Sequence, residues 1–324
     1  MLLSVLAVVS LALSASAQEW PTRPVVVVFP FNPGGGGEQL VRRVMGQLSR
    51  DLGQQFLVEN RPGAGGTIGA GLVAKARPDG YTLLGSGVGS NVVAPAMLPM
   101  QFDSMRDFTH IAFLGGPPQV LAVNAGFEPR TLQQYLDKSR GKAADIAFGS
   151  PGSGTHSHLI GELFKSLTGA RLLHIPYNGG GPAVADLVAG HIPSAFTSLG
   201  AISQHLRAGK ARALAISSSK RAESFPSVPT FAELGYKELT ATTWFGLSGP
   251  AGLPRPIVTR LNAQVRNALA QPDIRAILLA DGIEADDLDA EAFTQFFRAE
   301  IARWSPLARA AKEAGAVQDK PQPR

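Results

Sequence analysis

Two glycine-rich loops, each set between a buried strand and an amphipathic helix, most constrain how this chain folds. The first loop runs from Phe31 to Gly37, between a predicted strand at 25–29 and a predicted helix at 38–52. The second runs from Ser150 to Thr155, between a strand at 145–148 and a helix at 156–167. A glycine loop at a helix start exposes backbone N–H groups beside the positive end of the helix dipole, and this arrangement favours anions.

The residues around these loops form two matching units about 120 residues apart. In each unit the helix leads to a second strand with its own glycine loop, at 60–66 and at 176–181. A further helix and strand follow in both units, and the second unit continues with a helix near 202–208 and a strand at 211–217. Strand–helix alternation with short loops is typical of parallel sheets that carry helices on both faces.

The pattern predicts an α/β fold with two doubly wound parallel-sheet lobes joined by two crossing strands. The crossing segments lie near 121–124 and 242–248, and the helical tail after them returns to the first lobe. We expect residues 18–122 together with 246–324 to form the first domain and residues 123–245 to form the second. Open parallel sheets bind ligands beyond their C-terminal strand ends. The glycine loops of both units are therefore expected to meet at one cleft.

The N-terminal segment has the features of a secretory signal peptide at residues 1–17. Residues 2–13 are nearly all apolar, and Ala15-Ser16-Ala17 fits cleavage after Ala17. No lysine or arginine precedes the apolar stretch, and an uncleaved membrane anchor is the alternative interpretation. We expect export to the periplasm. The chain has no cysteine, so its fold must be stable there without disulfides.

The composition indicates a folded chain with no sign of a nucleic-acid partner. Its hydrophobic content of 44% is too high for a disordered chain, and its formal net charge is +5. Lysine and arginine are scattered, as in Arg50-Asp51, and are not clustered with stacking aromatics. His156 and His158 are two residues apart on a helix and point to different faces, which disfavours a metal site. We expect a monomer without metal, cofactor or catalytic residues.

Eight short motifs in register carry a family likeness. They are Trp20-Pro21 with Arg23-Pro24, Pro30-Phe31 with Pro33-Gly34-Gly35, the run 59–66, the run 78–84, Gly154-Thr155, the run 161–165, Pro176-Tyr177 with Gly179-Gly180, and the run 244–247. Together they closely resemble the periplasmic receptors of tripartite tricarboxylate transporters, often called the Bug family. The likeness covers essentially the whole mature chain.

The resemblance implies a type II periplasmic binding protein fold, a Venus flytrap whose two lobes close on a small carboxylate. It also implies delivery of that ligand to the membrane permease subunits of a tripartite transporter, and ligand contacts from the loops at 31–38 and 150–156. No lysine or arginine lies in the glycine loops at 31–37, 150–156 and 177–181, so we expect backbone N–H groups and hydroxyls to hold the anion. The candidate ligand-binding residues are Phe31, Gly34, Gly35, Gly36, Gly37, Gly65, Gly66, Ser86, Ser150, Gly152, Gly154, Thr155, His156, Tyr177 and Thr197.

Three departures from the family pattern bear on the ligand. Gly36-Gly37-Glu38 stand where the family often has Ser-Thr-Asp, and Asn178 stands where it usually has lysine. Thr197 occupies a position that is usually aspartate, an acid that in amino-acid-binding members can hold the ligand's ammonium group. A neutral Thr197 therefore disfavours an amino-acid ligand. Citrate-like tricarboxylates, dicarboxylates and aromatic acids such as terephthalate stay open.

Two other functions are alternatives to a transport receptor. A serine hydrolase would use Ser150 or Ser153 as nucleophile and His156 or His158 as base. The run Gly152-Ser153-Gly154 has the wrong spacing for a nucleophile elbow, and this favours a receptor over an enzyme. A sensor module that presents the bound ligand to a membrane kinase is the second alternative, and the sequence does not separate it from transport.

Overall fold

The computed structural model describes residues 20–141, 145–280, 282–283 and 285–313. The predicted signal peptide lies outside the described residues. Within these ranges, no helix is both long enough and apolar enough to cross a membrane. The strands of the described chain are β1 (Val25–Phe29), β2 (Phe56–Asn60), β3 (Thr82–Gly87), β4 (Phe108–Gly115), β5 (Gln119–Asn124), β6 (Ile146–Ser150), β7 (Leu172–Pro176), β8 (Ser194–Ser198), β9 (Ala211–Ile216) and β10 (Phe245–Pro250).

The strands form two five-stranded sheets, which define two lobes. The first lobe has the strand order β2-β1-β3-β10-β4, and the second has the order β7-β6-β8-β5-β9. The α-helices are α1 (Gly36–Leu52), α2 (Thr67–Ala74), α3 (Ala94–Met97), α4 (Leu132–Arg140), α5 (His156–Thr168), α6 (Gly180–Ala189), α7 (Leu199–Arg207), α8 (Arg255–Ala270), α9 (Pro272–Ala280) and α10 (Ala290–Glu313). Short 3₁₀ turns lie at Ala64–Gly66 and Lys237–Leu239, and a π-helical turn lies at Gly89–Val93.

The two matching units predicted from the sequence have matching structures. Helix α1 follows β1 and buries an apolar stripe that includes Leu40, Val44 and Leu48. Helix α5 follows β6 and buries a stripe with the same spacing. Both helices end at a glycine in the left-handed conformation, with φ of 65° at Gly53 and 67° at Gly169. A residue with a side chain rarely adopts this conformation, which is why glycine ends both helices.

The predicted parallel sheets are mixed in the structure, because each contains one antiparallel strand. Strand β10 runs antiparallel to β3 and β4, and β5 runs antiparallel to β8 and β9. The reason lies in where the chain crosses between the lobes. The parallel strands of both sheets run towards the cleft between the lobes. The strand that enters a lobe directly from the other one must run away from the cleft.

Two crossing segments connect the lobes, at 116–118 and 242–244. The segment predicted near 121–124 is instead part of β5 in the second sheet, and residues 245–248 belong to β10 in the first. The two crossing segments lie side by side, because Pro118 forms an antiparallel β-bridge with Thr242. The backbone N–H of Thr243 donates to the carbonyl oxygen of Pro117 at 2.9 Å. These adjacent segments form the connection between the two lobes.

The helical tail packs on the first sheet and also reaches the second lobe. Phe293 and Phe296 of α10 contact Phe113 of β4, with ring centroids 5.9 and 5.0 Å apart. Trp304, further along α10, packs edge-on against His156 at the start of α5, at 4.7 Å. The predicted domain boundaries at residues 122 and 245 stay a prediction, because strand membership alone does not delimit a domain.

The two lobes touch each other beside the cleft. The side-chain amide of Asn32 in the first lobe donates to the carbonyl oxygen of Asn178 in the second. Close by, the backbone of Gly36 at the start of α1 lies against Ser198 and Ala201 of the second lobe. These contacts border a small cavity between the lobes.

Candidate ligand-binding site

A cavity of about 80 Å³ lies between the lobes, beyond the C-terminal ends of β1, β6 and β8. Loops and helix starts line it on both sides, and the crossing segments line it at the connection between the lobes. The lining residues are Phe29, Phe31, Asn32, Gly35, Gly36, Gly37, Glu38, Gly89, Gln119, Pro151, Thr155, His156, Ser157, Gly179, Gly180, Thr197, Ser198, Thr243 and Phe245. The cavity is therefore the place where the predicted loops of both units meet.

The starts of several helices converge on this cavity. The first residues of α1 line it from the first lobe. The first residues of α5 and α6 line it from the second lobe, together with Ser198, the residue before α7. A helix start carries unpaired N–H groups and a partial positive charge, so several of them around one space favour an anion.

The side chains that line the cavity carry almost no positive charge. No lysine or arginine of the described residues lines it, and Glu38 is its only carboxylate within those residues. Glu38 is 5% exposed, and its carboxylate accepts from the Arg42 guanidinium and, at 3.3 Å, from the backbone N–H of Gly34. An anion bound here would depend on backbone N–H groups and hydroxyls, as the sequence predicts.

A chain of polar side chains follows the cavity wall at the connection between the lobes. Ser157 donates to Oε1 of Gln119, and Nε2 of Gln119 donates to Oγ1 of Thr243, both at 2.5 Å. Oγ1 of Thr243 lies 2.8 Å from Nδ1 of His156. Burial, together with the charge of Arg303, lowers the pKa of His156 to about 3. The imidazole is therefore neutral at physiological pH and contributes no cation to the site.

Thr197 has the polar side chain in the lining that most directly indicates a ligand. The residue is fully buried at the cavity wall. Its Oγ1 has no hydrogen-bond partner among the described residues. A buried polar atom without a partner is costly and uncommon. The hydroxyl is thus available to a bound molecule.

In the predicted second-lobe loop, Thr155 lines the cavity, whereas Ser150, Gly152 and Gly154 do not. Thr155 lines the cavity, but its hydroxyl is used within the loop, where it donates to the carbonyl oxygen of Gly152 at 2.7 Å and accepts from the N–H of His158 at 3.3 Å. Gly152 and Gly154 shape this turn and do not belong to the lining. Ser150 also lies behind the cavity surface, fully buried.

The environment of Ser150 does not favour a hydrolase. Its Oγ lies 2.6 Å from Nε2 of His174, a residue that sequence reasoning did not single out, and it does not pair with His156 or His158. The His174 ring stacks on the His158 ring at 4.1 Å. Burial, with the nearby His158 and Lys165, lowers the pKa of His174 to about 2. Such an imidazole is a weak general base near neutral pH.

The other predicted site residues lie outside the cavity lining. Gly34 lines a separate groove of about 590 Å³ on the outer side of the contact between the lobes. Gly65 lies beside the backbone of Ser153 and Gly154, and Gly66 lies beneath the Phe31 ring. The hydroxyl of Ser86 is 2.8 Å from that of Ser248, and Tyr177 donates to Asp186 at 2.7 Å.

Sequence reasoning missed several lining residues for different reasons. Glu38 lies in the expected contact loop at 31–38 but is not among the candidate residues, although an acid in the first helical turn interacts with the dipole. Phe245 belongs to the motif at 244–247, which carries the family likeness but no local sign of ligand contact. Gln119 and Thr243 are 124 residues apart in the chain. No local pattern reports their proximity, because it depends on the two crossing segments lying side by side.

Comparisons with known proteins agree with this geometry. The family described as tripartite tricarboxylate transporter family receptor matches residues 40–312. The chain is 35% identical to Protein BugT of Bordetella pertussis over 306 residues, which cover 94% of each chain. It is similar in structure to the periplasmic binding protein BugD, with a TM-score of 0.85, 31% identity, and coverage of 92% of this chain and 99% of that one.

A second solved structure carries a ligand. Rpa4515 of R. palustris, determined with adipate, has a TM-score of 0.86 and 32% identity, and the match covers 91% of this chain and 98% of that one. These likenesses confirm the predicted two-lobe periplasmic binding protein fold, with the correction that its sheets are mixed. The family is one of substrate-binding receptors. The chain therefore belongs to the receptors of tripartite tricarboxylate transporters, the family that includes the Bug proteins.

Proposed function

We propose that this protein binds a small organic carboxylate in the cavity between its lobes and delivers it to a tripartite membrane permease. The observation that carries the proposal is the unpartnered hydroxyl of Thr197, buried in a cavity that is surrounded by helix starts. The adipate held by the similar protein Rpa4515 supports a carboxylate as the class of ligand.

The backbone of the second lobe is proposed to hold the carboxylate. Its oxygens would accept from N–H groups at the starts of α5 and α6 and from the Thr197 hydroxyl. Hydrogen bonds to a charged group contribute about 1.5–3 kcal/mol each, and a partly buried helix start adds up to about 2 kcal/mol. Micromolar affinity needs roughly 8 kcal/mol. Three or four such contacts provide this after ordering costs, so no arginine is required.

The cellular setting of this function is part of the proposal. We infer that residues 1–17 direct export and are removed after Ala17, so that the mature chain acts as a periplasmic monomer. Edman sequencing of the protein recovered from the periplasm would begin at Gln18 if this is right. Multi-angle light scattering would then give the mass of one chain. A protein retained in the membrane with its N-terminal segment intact would contradict the proposed processing.

A thermal-shift screen with organic acids tests the binding function. A ligand at 100 times its dissociation constant stabilises a protein by about 2.7 kcal/mol. We expect at least one monocarboxylic, dicarboxylic or tricarboxylic acid to raise the melting temperature of the mature protein. The corresponding uncharged amide is the matched control and should have no effect. If no acid raises the melting temperature, the protein is not a carboxylate receptor.

A further inference from the structure

The two sides of the cavity differ in polarity. The second lobe presents the starts of α5 and α6 and the Thr197 hydroxyl. The first lobe presents three phenylalanine rings, from Phe29, Phe31 and Phe245, together with Asn32, Glu38 and the glycine backbone at the start of α1. A ligand that spans the cavity therefore meets hydrogen-bond donors at one end and an aromatic surface at the other.

The aromatic surface is a packed cluster. The Phe29 ring centroid lies 5.8 Å from that of Phe31 and 5.8 Å from that of Phe245. The Phe245 ring fills the space where a side chain at position 37 would lie, since a methyl group on Gly37 would be 2.0 Å from its Cζ. This part of the first lobe therefore offers ring faces and edges to the cavity and no hydroxyl.

The first lobe also carries a negative charge at the cavity. The Glu38 carboxylate stands in the first turn of α1, at the helix start that would otherwise attract an anion. It is buried, and it lines the cavity. The Arg42 guanidinium already pairs with the Glu38 carboxylate. A second carboxylate of a ligand would therefore meet an acidic side chain at this helix start, beside a cation that is already paired, which is unfavourable. The first lobe thus disfavours the far carboxylate of a dicarboxylic or tricarboxylic acid.

We infer that the ligand is a monocarboxylate with a flat apolar body, of the arylcarboxylate or arylacetate class. This inference rests on the proposed function. The carboxylate faces the second lobe, and the ring packs against Phe29, Phe31 and Phe245. Aromatic rings favour offset or edge-to-face contacts with one another, and the three phenylalanines provide such surfaces. These rings offer no hydrogen-bond donor to a second carboxylate.

Isothermal titration calorimetry with phenylacetate and adipate tests the inference. The two acids have the same number of non-hydrogen atoms, and adipate is the ligand of a similar protein. We expect the mature protein to bind phenylacetate at least about tenfold more tightly, which is the ratio that one aromatic contact together with one avoided charge repulsion would produce. Phenylalanine serves as the matched amino acid and should bind more weakly than the related 3-phenylpropionate.

Two pairs of variants separate the two parts of the argument. Phe31→Leu should weaken phenylacetate binding about three- to tenfold, and Phe102→Leu, at a ring packed on Phe108 outside the cavity lining, should not. Glu38→Gln should raise the ratio of adipate affinity to phenylacetate affinity about tenfold or more. Glu59→Gln, at an exposed pair with Arg61, is its control and should change neither affinity.

The outcomes distinguish this inference from the proposed function. Tighter binding of adipate or phenylalanine than of the matched arylacid overturns the inference and leaves the carboxylate receptor in place. An equal ratio of adipate affinity to phenylacetate affinity in the wild-type protein and in Glu38→Gln overturns the role of the charge. If neither these acids nor any member of the wider panel binds, the proposed function fails together with the inference.

Discussion

At the scale of single residues, Thr197 combines two features that rarely occur together. Its side chain is fully buried, and its hydroxyl has no partner among the described residues. Most buried hydroxyls of the described residues are bonded, as at Thr168, which donates to the carbonyl oxygen of Phe164 at 2.6 Å. An unpartnered buried hydroxyl lowers stability unless a ligand bonds to it. We propose that this residue serves ligand binding rather than folding.

Replacing Thr197 by valine separates binding from stability. We expect Thr197→Val to unfold at the same or a slightly higher denaturant concentration without ligand, because valine fits the site and removes an unpaired hydroxyl. Its affinity for the acid that binds the wild-type protein should fall about tenfold or more, since a hydrogen bond to a charged group is lost. Urea denaturation and calorimetric titration measure the two effects.

A buried threonine with satisfied bonds is the matched control for that experiment. Thr168→Val removes a hydroxyl that bonds to Phe164 and Ala170. It should lower the free energy of unfolding by about 1–3 kcal/mol and leave the affinity unchanged. Loss of stability in Thr197→Val with unchanged affinity would contradict the assignment of Thr197 to the ligand.

At the scale of elements, the start of α1 is shaped by its contact with β10. Gly37 lies directly against the Phe245 ring, whereas Gly46, in the middle of the same helix, has no atom within 4 Å of the place where a Cβ would be. The two glycines have the same chemistry and different surroundings. Comparing the same substitution at both positions measures how much the contact with β10 changes the free energy cost of a side chain on α1.

Alanine substitutions at these two glycines should have opposite effects. Gly37→Ala forces the Phe245 ring to move and should lower the free energy of unfolding by about 1–3 kcal/mol, as overpacking does. Gly46→Ala improves helix propensity in open space and should raise it by about 0.5–1 kcal/mol. Urea denaturation of both variants checks the pair. Equal effects in the same direction would contradict the close packing of Phe245 on Gly37.

Helix α10 is tied to the crossing segment by a buried carboxylate. Oε2 of Glu300 accepts from the indole N–H groups of Trp244 and Trp304, at 2.7 and 2.9 Å. Trp244 directly precedes β10, and Trp304 packs against His156 in the cavity wall. This carboxylate therefore links the tail, the crossing segment and the candidate site. Burial raises its pKa, against the effect of the two indole donors.

Substitutions at Glu300 should differ according to whether an acceptor is kept. Glu300→Ala leaves two buried indole N–H groups without a partner and should cost about 2–5 kcal/mol of unfolding free energy. Glu300→Gln keeps an amide oxygen as the acceptor. Its loss of unfolding free energy should be less than about half of the loss in Glu300→Ala. Tryptophan fluorescence during urea unfolding reports both values. Equal losses in the two variants would show that the indole bonds do not matter for stability.

At the scale of the whole molecule, three neutral histidines lie inside the fold. Burial lowers the pKa of His110 to about 4, of His156 to about 3 and of His174 to about 2. In the unfolded chain each would titrate near 6.5. Below pH 6.5 the unfolded chain therefore binds protons that the folded protein does not, so acid favours unfolding.

The free energy of unfolding should fall as the pH drops from 6.5 to 5. Each of the three histidines contributes up to about 1.4 kcal/mol per pH unit. The pKa of Glu300 is raised in the fold, so the folded protein takes up a proton there before the unfolded chain does. This uptake of at most one proton makes the free energy of unfolding fall less steeply with acid. The net slope should approach about 3–4 kcal/mol per pH unit near pH 5. Urea denaturation at pH 6.5, 6 and 5 measures it, and a flat profile would contradict the burial of these rings.

The sequence by itself determined the repeated units of this fold. Apolar runs predicted buried strands such as β1, and apolar spacing predicted α1 and α5, because burial on one helix face leaves a period in the sequence. Glycines at helix starts indicated an anion site between two lobes. Strand β4 was not predicted, and neither was the antiparallel direction of β5 and β10, because strand direction depends on the side from which the chain enters a lobe.

Only the tertiary structure decided which side chains share the cavity. It brought Gln119 and Thr243 together through the crossing segments, and it paired Ser150 with His174 behind the cavity surface. It also placed the Phe245 ring on Gly37, which gives the first lobe its aromatic wall. The physical reason is that the spacing of apolar residues in the sequence indicates only which face of a helix or strand is buried. Contact between residues far apart in the chain is set by how the elements pack.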